Sequence, residues 1–369
     1  MKLDTLEDLK EALAYLDEAD ESFAHRDLAQ RCMQRAVALR ADELEFEARM
    51  AFLRFSVFLH QYGEAIAMYP WFLQKLDDES AQLGFFERLS ALWAYKWIIS
   101  AIPAYSAISM DKALALLADF ERRVIDRPEG PRLVAYQKMQ FYTDLGEQEE
   151  ALRHFEAFFH NPDTGMLEDC QACQPNNCLA VFQRLNQHAR VLEHAGPILR
   201  GELSCHEVPH VTYPKVLYSA MQLGQWDQAT AYATEAVAHL DVKKPDAVSW
   251  SYLFHYYARA GKFVQGRKVL EWQFPYTVGS QHDLQKVRLY LAVAIFLAAL
   301  RQEGSERLTL QWQEADLPAD FPVPDQAGAY EVAQLHTWFD TQARAAAQAL
   351  DTRNGNRYWT QAIDAQAAV

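Results

Sequence analysis

Two short stretches of this chain concentrate residue types that bind metals. The first, DCQACQPNNC, holds three of the five cysteines, and the second, SCHEVPH, adds one more cysteine and two histidines. The candidate ligands are Cys170, Cys173, Cys178, Cys205, His206 and His210. Zinc prefers four tetrahedral sulfur or nitrogen ligands, and a C-x2-C pair at a turn offers two thiolates to one ion. The spacing therefore predicts one structural zinc ion bound by Cys170, Cys173, Cys205 and His210.

Other interpretations of these residues stay open. His206 could replace His210 as a ligand, and Cys178 could replace one of the thiolates. Cys170 and Cys173 could instead form a redox pair, but that chemistry uses a βαβ setting, and the sequence has no clear strand pattern. The cysteines could also be free thiols that only pack or form hydrogen bonds.

The segments that must position these residues have helical patterns. Apolar residues recur every three or four positions in long stretches such as EFEARMAFLRFSVFLHQY and QKVRLYLAVAIFLAALRQ. Pro and Gly number only 14 each, and alternating strand patterns are nearly absent. We therefore predict an all-α chain, in which Cys32 occupies a core position of a helix.

A turn with a fixed pattern recurs along the chain. LGEQEEAL, LGQWDQAT and AGKFVQGR each place a glycine at the end of a helix and a small residue five positions later. Glycine adopts the left-handed cap conformation without steric penalty, and a small residue lets two helices approach closely. These small residues and their weaker counterparts are Ala29, Ala65, Ala113, Ala151, Val191, Ala229 and Gly266. Their spacing of 36 to 40 residues, with one interval of 48, predicts a repeating helix–turn–helix unit.

These units resemble the tetratricopeptide repeat. The resemblance covers roughly residues 20–275 and is most specific in SWSYLFHYYARAGKFVQG and VTYPKVLYSAMQLGQWDQATAYATEAV. The motif positions in the first of these segments are Trp250, Leu253, Tyr257, Gly261, Phe263 and Gly266. The bulky Leu217 and Phe254 stand where the family prefers a small residue, and the pattern weakens before residue 130. The chain thus resembles a degenerate, bacterial-type protein of the tetratricopeptide superfamily.

The resemblance implies an architecture as well as a family. Residues 1–275 would form an α-solenoid of about six or seven helix–turn–helix repeats, and residues 276–369 a C-terminal helical capping region with a Pro-rich linker near 315–327. In this frame the two cysteine-containing stretches occupy equivalent loops of consecutive repeats. Such loops stack roughly 10 Å apart, given the usual distance between packed helices. We therefore expect the two stretches to be neighbours.

The resemblance also implies a function. Tetratricopeptide proteins bind peptides or partner helices on the concave face of the solenoid, so we expect a protein–protein or peptide-binding scaffold. The positions that match this face are Tyr218, Met221, Gln222, Ser251, His255 and Arg259. One alternative is a peptide- or ligand-responsive regulatory protein that acts through a protein partner, and a weaker one is a redox protein that uses Cys170 and Cys173. We predict no enzyme activity, because no phosphate loop, nucleophile elbow or metalloprotease motif occurs.

Composition narrows the partners and the location. A net charge of −15 argues against binding to nucleic acid, which rests on clustered Lys and Arg. The longest apolar run, LAVAIFLAAL, is far shorter than the ~20 residues that a membrane-spanning helix needs. The first residues form an acidic amphipathic pattern unlike a signal peptide, and an odd number of cysteines fits a reducing compartment. We expect a cytoplasmic protein with a protein or peptide partner, and the sequence leaves a homo-oligomer open.

Overall fold

The computed structural model describes residues 2–81, 83–313 and 317–367. Within them the chain is all-α, as the apolar periodicity predicts: it forms 18 α-helices, and its two strands have three residues each. None of the helices in these ranges is both long and apolar enough to cross a membrane. The chain divides into two compact units, Met1–Ala101 and Ile102–Val369.

The first unit has five helices and a core of its own. The helices are α1 (Leu6–Asp17), α2 (Phe23–Leu39), α3 (Asp42–Phe58), α4 (Tyr62–Asp77) and α5 (Phe85–Ala101). Thr5 and Asp8 begin α1 with a capping box, in which each side chain accepts a hydrogen bond from the backbone N–H of the other residue. Leu9, Leu16 and Cys32 belong to the buried cluster between α1, α2 and α3. The complete burial of Cys32 confirms the core position that its helical spacing predicts.

The second unit holds the remaining elements. After a 3-10 turn (Ile102–Ala104) its first helices are α6 (Met110–Val124), α7 (Gly130–Leu145), α8 (Gln148–His160), α9 (Cys173–Arg184), α10 (His188–His194) and α11 (Gly196–Leu199). The next are α12 (Tyr213–Gln222), α13 (Trp226–His239), α14 (Ala247–Arg259), α15 (Phe263–Val278) and α16 (Asp283–Gln302). The last elements are β1 (Arg307–Thr309), β2 (Ala329–Glu331), α17 (Val332–Asn354) and α18 (Tyr358–Ala367).

Helices of the second unit pack in pairs that follow the order of the chain. α7 packs against α8, α9 against α10, α12 against α13, and α14 against α15. The first helix of each pair also contacts the first helix of the next pair, from α7 through α9, α12 and α14 to α16. Four helices of this series, α9, α12, α14 and α16, contribute residues to the candidate binding site.

The turns inside three of these pairs have the predicted glycine geometry. Gly146, Gly224 and Gly261 have φ angles of 81°, 71° and 64°, in the left-handed region that disfavours other residues. The small residue five positions later is buried in each case. At Gly266 the contact is so close that a Cβ atom would lie 2.3 Å from Cε2 of Phe296 in α16. The local part of the turn prediction is therefore confirmed.

The C-terminal part of the second unit packs onto α16. α17 lies against α16 and ends at Asn354, and Gly355 caps it with a φ angle of 72°. β1 and β2 pair antiparallel. Residue 275, the predicted end of the array, lies inside α15, and both sides of it belong to the second unit. Of the predicted Pro-rich linker, residues 315–316 lie outside the described residues, whereas Phe321 is buried and stacks on Phe274.

Candidate metal centre and candidate binding cavity

Three cysteines converge at the start of α9. Cys170 lies in the turn before this helix, Cys173 is its first residue, and Cys205 lies in the loop between α11 and α12. Their Sγ atoms all lie within 4.8 Å of one another, and those of Cys173 and Cys205 are 3.5 Å apart. The two cysteine-containing stretches are therefore neighbours, as predicted. Three thiols at these distances could hold a metal ion.

Buried polar contacts hold the segment that precedes α9. Arg132 of α7 forms an ion pair with Glu168, 2.8 Å apart and largely buried, and donates a hydrogen bond to the side chain of Gln174. The hydroxyl of Tyr136, also in α7, donates a hydrogen bond to the carboxylate of Asp169. These contacts tie the loop to α7 and so determine where Cys170 and Cys173 lie.

A small apolar cluster packs against two of the three cysteines. Ala172, Ile198 and Val208 form its buried part, and Cys173 and Cys205 pack against it. The backbone N–H of Cys205 donates a hydrogen bond to the carbonyl of Val208, at 2.9 Å. Both sides of the sulfur cluster thus have fixed backbone positions, which a metal site requires of its ligands.

The three thiols interact electrostatically. Burial opposes ionisation of Cys170, but hydrogen bonds from Cys173 and Cys205 outweigh it and hold the pKa of Cys170 below its ordinary value. One of these bonds is donated by the backbone N–H of Cys173, 3.2 Å from Sγ of Cys170. Burial and the neighbouring sulfurs raise the pKa of Cys173. Cys170 therefore ionises more readily than Cys173.

The structure does not bring the other predicted ligands to this cluster. The ring of His210 stacks on that of His239, with centroids 4.5 Å apart, and His210 lies outside the group of three sulfurs. Cys178 is fully buried, and its sulfur contacts Sδ of Met139 in the core. His206 is 82% exposed, and its Nε2 lies 3.9 Å from a carboxylate oxygen of Glu207. Each of these side chains has a local environment that the spacing of the sequence does not reveal.

The predicted partner-binding residues meet at a large cavity in the second unit. The cavity has a volume of about 1370 Å³. Five of the six predicted residues line it, and they are Tyr218, Gln222, Ser251, His255 and Arg259. Met221 does not, since it is only 3% exposed and packs in the core. Five of the predicted positions of α12 and α14 thus share one cavity, and their role in binding a partner stays a prediction.

An aromatic group forms one part of the cavity lining. The ring of Tyr218 lies 5.4 Å from that of Tyr252, 5.3 Å from that of His255 and 5.8 Å from that of His188. The hydroxyl of Tyr252 donates a hydrogen bond to Oε1 of Gln183. Burial raises the pKa of Tyr218 to about 12, and burial together with the nearby Arg259 guanidinium lowers the pKa of His255 to about 4. At neutral pH both side chains are therefore uncharged.

A charged group lies next to these rings, and the sequence analysis does not predict it. One carboxylate oxygen of Asp144 lies 3.5 Å from a guanidinium nitrogen of Arg184 and 3.2 Å from one of Arg288. The Arg184 guanidinium also lies over the ring of Trp359, 4.6 Å from its centroid. Both arginines line the cavity. The only signal in the sequence is an arginine within the strongly apolar KVRLYLAVAIF, because a charge there requires a partner from another helix.

The remaining lining is mixed: it includes the C-terminal helix and also acidic and amide side chains such as Glu147, Glu150 and Gln361. α16 contributes Leu291 and Ile295, and α18 contributes Trp359 and Ile363. Trp359 is 3% exposed and donates a hydrogen bond from its ring N–H to the carbonyl of Asp144. The cavity therefore combines apolar residues of α16 and α18 with polar, charged and aromatic residues from the other segments that line it.

Comparison with models of known protein families and with curated proteins found no match for this chain. What the molecule can do therefore has to be inferred from the sulfur cluster and from the cavity. Of the two, the cavity is large enough to bind a ligand, whereas the sulfur cluster can bind only an ion.

Proposed function

We propose that this protein is an interaction protein that binds an extended peptide segment of a partner protein in the cavity of its second unit. The observation that carries this proposal is the convergence of Tyr218, Gln222, Ser251, His255 and Arg259 on one cavity. These residues come from two helices and were selected by their match to the peptide-binding face of a tetratricopeptide array. Unrelated surface positions would not be expected to share one cavity.

The helix packing supports a tetratricopeptide-like array as the framework of this site. Helix pairs follow one another along the chain, and the first helix of each pair contacts the first helix of the next. All seven marker residues of the repeat pattern are buried within helices: Ala29, Ala65, Ala113, Ala151, Val191, Ala229 and Gly266. Repetition of one packing contact at regular spacing is what a solenoid requires.

The size and lining of the cavity favour a peptide over a small molecule. Sites for small molecules typically enclose ~300–1,000 Å³, and this cavity of about 1370 Å³ is larger. Gln222 and Arg259 are exposed at the cavity and can donate hydrogen bonds to peptide carbonyls, whereas the partly exposed Ile295 offers an apolar surface to side chains. The proposed ligand therefore has one apolar and one polar side.

The sulfur cluster has a supporting role in this proposal. A structural zinc ion at Cys170, Cys173 and Cys205 would join the loop before α9 to the loop before α12. Both α9 and α12 contribute residues to the cavity, namely Gln183 and Arg184 from the first and Tyr218 and Gln222 from the second. A link between their N-terminal ends would therefore fix the position of α9 relative to α12, and so the relative position of the cavity residues that they carry.

Selection from a phage-displayed library of random peptides on the immobilised full chain tests the proposal. We expect a set of related peptides to be enriched, and the double variant Gln222→Ala and Arg259→Ala to weaken their binding at least tenfold. Both residues are exposed, so these substitutions are not expected to unfold the protein. Val264→Ser is the matched control, because Val264 is 74% exposed on α15 and does not line the cavity.

Two outcomes would contradict the proposal. One is a selection that enriches no related peptides on a chain whose circular dichroism and melting curve show that it is folded. The other is an enriched peptide whose affinity falls with Val264→Ser but not with the double variant. Either outcome would mean that the cavity does not bind the peptide.

A further inference from the structure

We propose that Cys170, Cys173 and Cys205 bind one zinc ion as a three-thiolate site whose fourth coordination position is open to solvent. This goes beyond a structural site with four protein ligands, because an open position lets an external ligand reach the metal. It rests on the sulfur cluster and not on the lining of the cavity, so its test can fail separately from that of the proposed peptide binding.

The distances fit a tetrahedral metal site and not a disulfide. With Zn–S bonds of ~2.3 Å, two sulfurs of a tetrahedral site lie about 3.8 Å apart. The sulfurs of Cys173 and Cys205 are 3.5 Å apart, and all three sulfurs lie within 4.8 Å of one another. A disulfide needs sulfurs at ~2.05 Å. Small adjustments of the side chains would therefore give each sulfur a bond to one central ion.

No fourth protein ligand accompanies the three sulfurs. Among the described residues, no other Cys, His, Asp or Glu has a ligand atom within 4.8 Å of all three. His210 is stacked on His239, and Cys178 is buried against Met139. Cys170 is exposed, so one side of the cluster faces solvent. Water is therefore the expected fourth ligand, and a small imidazole or thiol compound could replace it.

The surroundings suit a site with three negative thiolates. Three thiolates and one Zn²⁺ leave a net charge of −1, which positive groups must balance. Cys173 is the first residue of α9, so its thiolate lies at the positive end of the helix dipole. The ammonium of Lys215 lies near the same end of α9 and donates a hydrogen bond to the carbonyl of Asn176, at 3.2 Å. Both features place positive charge beside the cluster, where it would offset the negative charge of a zinc ion bound by three thiolates.

Cobalt titration of the full chain tests the site. The chain is purified under reducing, oxygen-free conditions, stripped with chelator and titrated with Co²⁺, which gives thiolate charge-transfer and visible bands when it is bound tetrahedrally. We expect one cobalt per chain, displaced by one zinc, and native mass spectrometry to give the same count. In the zinc-loaded chain, mass spectrometry of alkylated peptides should find Cys170, Cys173 and Cys205 protected, with protection lost after chelation.

Variants separate the three ligands from their neighbours. Cys170→Ser, Cys173→Ser and Cys205→Ser should each weaken cobalt binding at least a hundredfold, whereas His206→Ala and His210→Ala should bind like the unchanged chain. Circular dichroism of each variant distinguishes loss of a ligand from loss of the fold. The alkylation pattern of the unchanged chain tests the site without any substitution.

Added imidazole tests the open position. It should shift the visible bands of the cobalt-loaded chain, because it can replace the water. Absence of a shift, or loss of cobalt binding in His206→Ala or His210→Ala, would overturn the open fourth position. Absence of metal binding by the reduced chain, or a Cys173–Cys205 disulfide in the oxygen-free preparation, would overturn the metal site altogether.

Discussion

Replacement of Gly266 by alanine tests the close contact between α15 and α16. A Cβ atom at this position would lie 2.3 Å from Cε2, 2.6 Å from Cζ and 3.0 Å from Cδ2 of Phe296. Phe296 is fully buried, and its ring is held between Phe254 and Phe263, with centroid distances of 5.5 and 5.8 Å. The ring therefore cannot move aside without disturbing two other aromatic side chains.

Two opposing effects determine the expected magnitude. Insertion of a methyl group into a packed core costs about 1–3 kcal/mol. The gain in helix propensity from Gly to Ala offsets about 0.5–1 kcal/mol of this. We therefore expect Gly266→Ala to lower the free energy of unfolding by about 1–2 kcal/mol. The double variant Gly266→Ala, Phe296→Leu should recover part of this loss, since leucine leaves room for the new methyl group.

Urea unfolding followed by circular dichroism provides the measurement, with the midpoint compared among variants. Gly279→Ala is the matched control, because Gly279 ends the same helix with a φ angle of −92° and a Cβ there would meet no atom within 4 Å. This control should be neutral or slightly stabilising, as it reduces the entropy of the unfolded chain. A Gly266→Ala variant as stable as the control would refute the close contact.

Three further predictions concern the cavity. Asp144→Asn should lower the free energy of unfolding by roughly 2–3 kcal/mol, because the guanidinium groups of Arg184 and Arg288 lose their shared carboxylate. Urea unfolding measures this change, and an unchanged midpoint would contradict the pairing. Burial lowers the pKa of His255 from about 6.5 to about 4. The neutral form therefore stabilises the fold above pH ~6.5, and this stabilisation is lost as the pH falls from about 6.5 to about 4. His255→Gln should flatten this part of the pH dependence of the urea midpoint, and an identical pH profile would count against it. Trp359→Ala should lower the free energy of unfolding by about 3 kcal/mol and remove hydrogen-exchange protection from α18, and retained protection would show that α18 is held by other contacts.

The candidate metal site was only partly predictable from the sequence. The convergence of Cys170, Cys173 and Cys205 followed from the repeat frame, because equivalent loops of adjacent repeats must lie side by side. The orientation of His210 did not follow, since it depends on the ring of His239 at the end of α13. Sequence spacing places a backbone segment, but side-chain contacts from other helices decide which way a side chain points.

The candidate binding cavity shows the same division. Helical periodicity and the repeat match placed Tyr218, Ser251 and His255 on one face, and the structure brings them to one cavity, because helix geometry sets these positions. Met221, one turn away from the cavity positions, is instead enclosed by the core, since small rotations of a helix decide which flank is buried. The contribution of Trp359 was not predicted, because Trp359 lies 100 residues farther along the chain than Arg259.

By itself the sequence determined the helical class, the glycine-capped turns and the burial of the small residues that follow them. These features depend on interactions between residues close together in the chain, and a period of three to four residues is enough to reveal them. Only the tertiary structure decided that Asp144 lies between Arg184 and Arg288, and that α18 completes the cavity. Such contacts join distant segments, and their energy depends on which side chains together exclude water. A local sequence pattern does not predict this.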